Sequence, residues 1–132
     1  MTGTELPTAE LEVLACLKRL GPTTARQIRE TMLPFRPMAH GSVVTLLTRL
    51  EAKHLVTRTK GPVGKAFVYT VTDTAGKVYR NVLHRFLHRI FGGDSMQLVT
   101  SVFETKPPNS RQLKELKQLL DDLKAKARKK QQ

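Results

Sequence analysis

Ser42, Thr45 and Arg49 recur at three- and four-residue spacing, so on a helix they share one face. That face carries two hydroxyls and a guanidinium but no bulky side chain, which suits a helix that slides into a groove of nucleic acid. The hydroxyls can bond phosphates or base edges, and the methyl of Thr45, or Val44 beside it, can pack on a thymine methyl. Arg49 suits a phosphate, or a guanine if the helix lies deep. His40 and Gly41 open the same stretch. A glycine early in a helix costs stability relative to alanine, and a close backbone approach to DNA would justify it. Thr24 and Arg26 open the preceding helical stretch, whose N-terminus can accept a phosphate. Lys60 and Lys65 flank a turn made of Gly61, Pro62, Val63 and Gly64, with Arg58 at its base. A solvated polar face, or a turn kept basic for solubility, would account for each residue alone. That plainer reading weakens when the groups are counted together with the charge of the chain.

His84 and His88 also have a chemical spacing, i and i+4, that can hold a metal between two imidazoles. No carboxylate or cysteine accompanies them, and Arg85 and Arg89 add positive charge, so they read as surface histidines and no metal or other cofactor is expected. No catalytic constellation is present: no His-Glu-x-x-His, no phosphate-binding glycine loop, no nucleophile with a credible base. The chain is therefore not expected to be an enzyme. The single cysteine, Cys16, excludes an intramolecular disulfide and sits in an apolar helical pattern, as a buried and inert thiol would. With 23 Lys and Arg against 11 Asp and Glu, the formal net charge is +12, which favours a polyanionic partner. No apolar run resembles a signal peptide or approaches the ~20 residues of a membrane span, so a cytoplasmic protein without stable membrane association is expected.

These residues need elements to hold them. Leu11, Val13, Leu14, Leu17 and Leu20 predict a helix over about 8–20, with Thr8 as N-cap, Glu10 and Glu12 in the positive first turn, and Gly21-Pro22 as its stop. Thr24 and Gln27 have capping-box spacing for a second helix to about Leu33. Val43, Leu46, Leu47 and Leu50 form the inner face of a third helix, about 40–53, opposite Ser42, Thr45 and Arg49. Strands at 55–58 and 66–71 then enclose the basic turn. Helix, helix, helix, hairpin is the order of a winged helix-turn-helix, mostly α with a small β-hairpin. Residues 1–72 would form that DNA-binding domain, and residues 73–132 a helical dimerisation region with a basic tail. In that region a helix over about 73–91 aligns Tyr79, Val82, Leu83, Phe86, Leu87 and Ile90. Gly92-Gly93 ends it, Asp94 caps a short helix to about Phe103, and Pro107-Pro108 precedes the last helix. There Leu113, Leu116, Leu120 and Leu123 follow a heptad-like seam. These helices are too few to bury their apolar faces alone, so a homodimer is expected. The tail from Lys124 is expected to fray.

The residues resemble the penicillinase-repressor (BlaI/MecI/CopY) family over nearly the whole chain. The likeness runs from Leu6-Pro7-Thr8-Ala9-Glu10-Leu11 through Gly21-Pro22-Thr23-Thr24-Ala25-Arg26. It is sharpest at Ser42-Val43-Val44-Thr45-Leu46-Leu47-Thr48-Arg49-Leu50-Glu51-Ala52-Lys53, and takes in Leu55-Val56, Phe67-Val68-Tyr69, Phe91-Gly92-Gly93-Asp94-Ser95 and Leu98-Val99. The resemblance implies homodimers with winged-helix heads and intertwined C-terminal helices that bind a dyad operator and repress nearby genes. In several members a membrane sensor-protease relieves repression, and in the copper branch metal binding does. Val102-Phe103 falls where the proteolysed members carry an Asn-Phe bond, and this chain lacks the C-terminal cysteines of the copper branch; the inducing signal is left open. His54 follows Lys53 where the family carries glycine, and Gly41 stands where a larger residue is common.

Two other classes compete with a dimeric sequence-specific repressor. A small-molecule-gated regulator of the PadR or MarR kind often shows Tyr-x-x-Thr-x-x-Gly after the wing; Tyr69, Thr72 and Gly76 match it with one residue too many. A basic architectural protein that coats nucleic acid without sequence preference would account for the tail.

Overall fold

The computed structural model describes residues 6–62, 64 and 66–131. Their elements run α1 (Thr8–Leu20), α2 (Ala25–Met32), α3 (His40–Ala52), β1 (Val56–Lys60), β2 (Phe67–Val71), α4 (Ala75–Phe91), α5 (Ser95–Thr105) and α6 (Ser110–Gln131). This is the mostly helical, winged order read from the sequence. The chain forms two compact units, residues 1–84 and 85–132.

In the first unit the three helices turn their apolar stripes inward. Val13, Leu14 and Leu17 of α1 meet Ile28 and Met32 of α2 and Val43, Leu47 and Leu50 of α3, all fully buried. Leu55, Val56 and Tyr69 close this core from the hairpin, and Ala75 and Val78 extend it into the start of α4. The head thus continues past residue 72, because the first turns of α4 supply part of its core. The Tyr79 hydroxyl donates to the Leu14 carbonyl at 2.7 Å, and Lys18 Nζ lies 4.2 Å from the centre of its ring. Burial raises the Tyr79 phenol to about 12. Cys16 is buried, as its apolar setting required, and burial pushes its thiol pKa up, away from the reactive thiolate.

Three details depart from the sequence reading. Thr8 is not the cap of α1: Pro7 precedes the helix with φ −54° and takes the Leu11 N–H on its carbonyl at 3.0 Å. Proline pre-sets the backbone there, and the cap moves back one residue. Glu10 stands in the first turn as expected, but it is also 2% exposed and ion-paired to Lys53 Nζ at 2.5 Å. Leu20 turns outward rather than into the core, at the end of the helix where the chain leaves it.

The hairpin pairs β1 and β2 antiparallel, Val56 opposite Val71 through Lys60 opposite Phe67. At its mouth Gly61 N–H donates to the Ala66 carbonyl at 2.9 Å. A Cβ on Gly61 would sit 2.8 Å from that oxygen, so only glycine lets the two strands close here.

In the second unit Asp94 caps α5 by accepting from Gln97 N–H at 3.1 Å. Asn109 and Gln112 form a reciprocal box at the start of α6, each side chain accepting from the other's backbone N–H at 2.8 and 3.0 Å. The leucine spacing that starts this helix at Ser110 does not reveal that box. The tail, expected to fray, continues α6 to Gln131. Lys, Arg and Ala are strong helix formers, and cations favour the negative C-terminal end. Among the described residues of this unit none is buried; Phe86, Ile90, Met96, Leu113, Leu120 and Leu123 all stand exposed.

Candidate nucleic-acid interface

The interface is assembled by a contact that local sequence patterns do not announce. Thr23, between α1 and α2, forms an isolated antiparallel bridge with Tyr69 of β2: Thr23 N–H to Tyr69 O at 3.1 Å and Tyr69 N–H to Thr23 O at 2.7 Å. The hairpin is thereby tied to the residue just before the α2 cap. Thr24 then accepts from Gln27 N–H at 3.2 Å and starts α2 against the wing.

Between the starts of α2 and α3 and the hairpin lies an open groove of about 470 Å³. Thr24, Arg26, His40 and Arg58 line it, with Val44, Phe67 and Tyr69. Four of the residues singled out from sequence are therefore brought together. Arg58 is held from two sides: its guanidinium lies 4.4 Å from the centre of the Phe67 ring, and its Nε is 3.4 Å from Glu51 Oε2. Arg58 is paired with Tyr69 across the strands, so Phe67 is its diagonal neighbour on the same face of the sheet. Arg26 pairs with Glu30 at 3.1 Å, a highly exposed i,i+4 bridge of the kind that contributes little to stability.

Ser42, Thr45 and Arg49 do not line this groove. They form the exposed outer face of α3, opposite the buried Val43, Leu46, Leu47 and Leu50. Thr45 donates its hydroxyl proton to the Gly41 carbonyl at 2.9 Å, and Thr48, which the sequence reading did not select, does the same to Val44 at 2.9 Å. Their oxygen lone pairs and methyl groups remain for an incoming surface. Among the described residues Arg49 is in no ion pair. Gly41 is exposed, and a Cβ there would meet nothing within 4 Å. The fold itself does not require glycine at this position.

The start of α3 is unusual in another way. Its N-cap is Ala39, which offers no side-chain acceptor. The Ser42 and Val43 N–H groups turn back to the Ala39 carbonyl at 3.1 and 3.2 Å, while those of His40 and Gly41 receive no side-chain cap. A helix start with open N–H groups is an anion site in waiting. Lys60 ends β1 in an exposed position; Lys65, the other basic residue assigned to the wing, lies outside the described residues.

Phe67, Tyr69 and Glu51 are the site residues that sequence reasoning missed; Val44, weighed there only for a thymine methyl, lines the groove as well. A period-two reading of 66–71 against 56–60 would have placed Phe67 beside Arg58. Nothing local announces the Thr23–Tyr69 bridge. His84 and His88 are both exposed, and among the described residues no group of three or more His, Cys, Asp or Glu could hold a metal ion. No described helix is long and apolar enough to cross a membrane.

The chain is 23% identical over 119 residues to the penicillinase repressor of Staphylococcus aureus, covering 90% of this chain and 93% of that one. A MarR variant from E. coli in complex with operator DNA superimposes with a TM-score of 0.53 at 19% identity, covering 90% of this chain and 78% of that one. BpsR of Bordetella bronchiseptica, whose DNA binding is regulated by 6-hydroxynicotinic acid, gives 0.54 at 16% identity, over 94% and 83%. These likenesses establish the winged-helix fold. Residues 6–122 match the penicillinase repressor family, and the chain belongs to that family.

Proposed function

We propose that two copies of this DNA-binding transcriptional repressor pair through residues 73–132 and together grip a dyad operator. Each copy places α3 in the major groove, with half-sites about one helical turn, or a multiple, apart. The observation that carries this reading is the basic groove beside an exposed, uncapped α3: Thr24, Arg26, His40 and Arg58 in one cleft, Ser42, Thr45 and Arg49 on the adjoining outer face. Division of labour follows from chemistry. The cleft residues seat phosphates; Gly41, Ser42, Thr45 and Arg49 meet base edges; Lys60 and Lys65 track the backbone or minor groove.

Pairing is supported by the second unit's lack of any buried residue among those described. Val82, Phe86 and Ile90 recur every four residues on α4, and Leu113, Leu116, Leu120 and Leu123 line α6. Covered by a second copy, Phe86, Ile90 and these leucines would supply the core that the second unit lacks. The chain acts in the cytoplasm without catalysis, cofactor or stable membrane association. A membrane sensor-protease as the inducing relay has only the family likeness behind it. Against it, Val102 and Phe103 lie inside α5, whereas proteases take extended segments.

The test is a fluorescence-anisotropy titration of the full chain onto its own upstream region and onto a shuffled duplex, at several salt concentrations. A preference of about 1,000-fold or more at physiological salt supports specific repression. Equal binding that falls equally with salt would leave only phosphate contacts and establish the architectural reading instead.

A further inference from the structure

At the far end of α3 from its open N-terminus lies a second recess, about 250 Å³, within the first unit. Leu6, Leu55 and Val78 make its apolar wall, Thr74 and Asn81 its polar edge, and Lys53 and Lys77 supply two ammonium groups. Leu55 and Val78 also belong to the core, so this wall is fixed by the fold. The volume is below the ~300–1,000 Å³ of a drug-sized pocket and matches a single ring. The charge is lopsided. Of the two lysines only Lys53 is in an ion pair among the described residues, with Glu10, and Lys77 stands in the first turn of α4, at the positive end of that helix. An apolar wall with a basic rim selects an apolar body that carries a negative charge.

We propose that this recess is an effector site for a small organic anion, a single-ring carboxylate, whose occupancy lowers the affinity of α3 for DNA. The inference rests on the repressor reading and adds its regulation. Lys53 is both a lining residue and the C-cap of α3, its N–H donating to the Arg49 carbonyl at 3.1 Å. Its ammonium ties that helix end to the buried Glu10 of α1. A carboxylate held by Lys77 competes with Glu10 for Lys53, and the competition acts on the ion pair that ties the end of α3 to α1. The ligand's affinity then differs between the tethered and loosened heads, which is what a shift in DNA affinity requires. By linkage, DNA must weaken the ligand by the same factor.

The experiment titrates the ¹⁵N-labelled full chain with benzoate and with benzamide, its uncharged counterpart, and follows the backbone amides. DNA affinity is then measured with and without saturating benzoate. Benzoate, and not benzamide, should move Lys53, Leu55 and the amides of 74–81. Lys77→Gln should weaken benzoate about tenfold, the loss of one charge-assisted hydrogen bond, while leaving DNA affinity in its absence unchanged. Asn81→Trp, which plugs the recess from an exposed position, should abolish the shifts. Wild-type DNA affinity should fall several-fold with benzoate, and that of Lys77→Gln should respond far less. Equal responses to benzoate and benzamide, shifts outside the recess only, or binding without change in DNA affinity would overturn the proposal. If no duplex is preferred over another, the repressor reading fails, and the amide shifts still decide whether the recess takes the anion.

Discussion

His54 holds the backbone at φ +63°, the left-handed region that side chains with a Cβ rarely adopt. It does so because the chain must turn sharply from α3 into β1, with His54 N–H on the Glu51 carbonyl at 3.0 Å and Leu55 N–H on the Leu50 carbonyl at 3.0 Å. His54→Gly should therefore raise stability by about 1 kcal/mol, seen as a higher denaturant midpoint with an unchanged slope. An unchanged or lower midpoint would mean that the side chain contributes something the backbone argument omits. Gly41 is the opposite case. No neighbour forbids a Cβ, and alanine is the better helix former, so Gly41→Ala should stabilise the free chain by a few tenths to about 1 kcal/mol. The same change should weaken operator binding about tenfold if the backbone at 41 approaches the bases, an anisotropy measurement in which an unchanged affinity removes Gly41 from the interface. Residues of this kind were partly legible in the sequence. Gly41 and His54 stand out because their types conflict with their local positions, whereas Glu10 looked like an ordinary first-turn acid. Its partner lies 43 residues away, and no local rule reports such a contact.

Elements were easier to read than their joints. Gly21-Pro22, the Thr24 cap, Gly92-Gly93 and Pro107-Pro108 punctuate the chain strongly, and the observed helices end within a residue or two of those marks. The outward face of α3 followed from its period. What stayed hidden is how the wing attaches, since the Thr23–Tyr69 bridge joins residues 46 positions apart through backbone groups that every residue type but proline carries. The wing depends on that bridge at one end and on Gly61 at the other. Gly61→Ala forces a Cβ onto the Ala66 carbonyl, so it should open the mouth of the hairpin and cost about 1–3 kcal/mol. Amide exchange should rise through 57–60 and 67–70 while the three helices stay protected. Uniform loss of protection would show instead that the wing and the helices unfold as one unit.

For the whole molecule, the contrast between the two units decides what is stable alone. The first has a continuous core; the second exposes Phe86, Ile90, Leu113, Leu120 and Leu123, each near half or more of its full area. Helices without a buried face are marginal in water, so the second unit's stability should come from its pairing. The double variant Ile90→Glu with Leu120→Glu should sediment as a monomer at micromolar concentration, melt at a lower temperature and lose most operator affinity, while the near-ultraviolet signal of the buried Tyr69 persists. A dimer that survives both charges would move the pairing surface elsewhere. The exposed seam was legible in the leucine spacing of α6, because heptad patterns encode their own need for a partner.

The bare start of α3 has one more consequence. A helix closed by its own serine or aspartate is complete before it meets anything. With Ala39 in that place, the head arrives unfinished, and any phosphate oxygen along a duplex can complete it. If α3 meets the duplex as proposed, completion would be the same at every step, so it would guide the protein along DNA without telling it where to stop. Stopping would be left to the base contacts proposed from Gly41 onward, so that search and recognition would draw on different groups of the same thirteen residues.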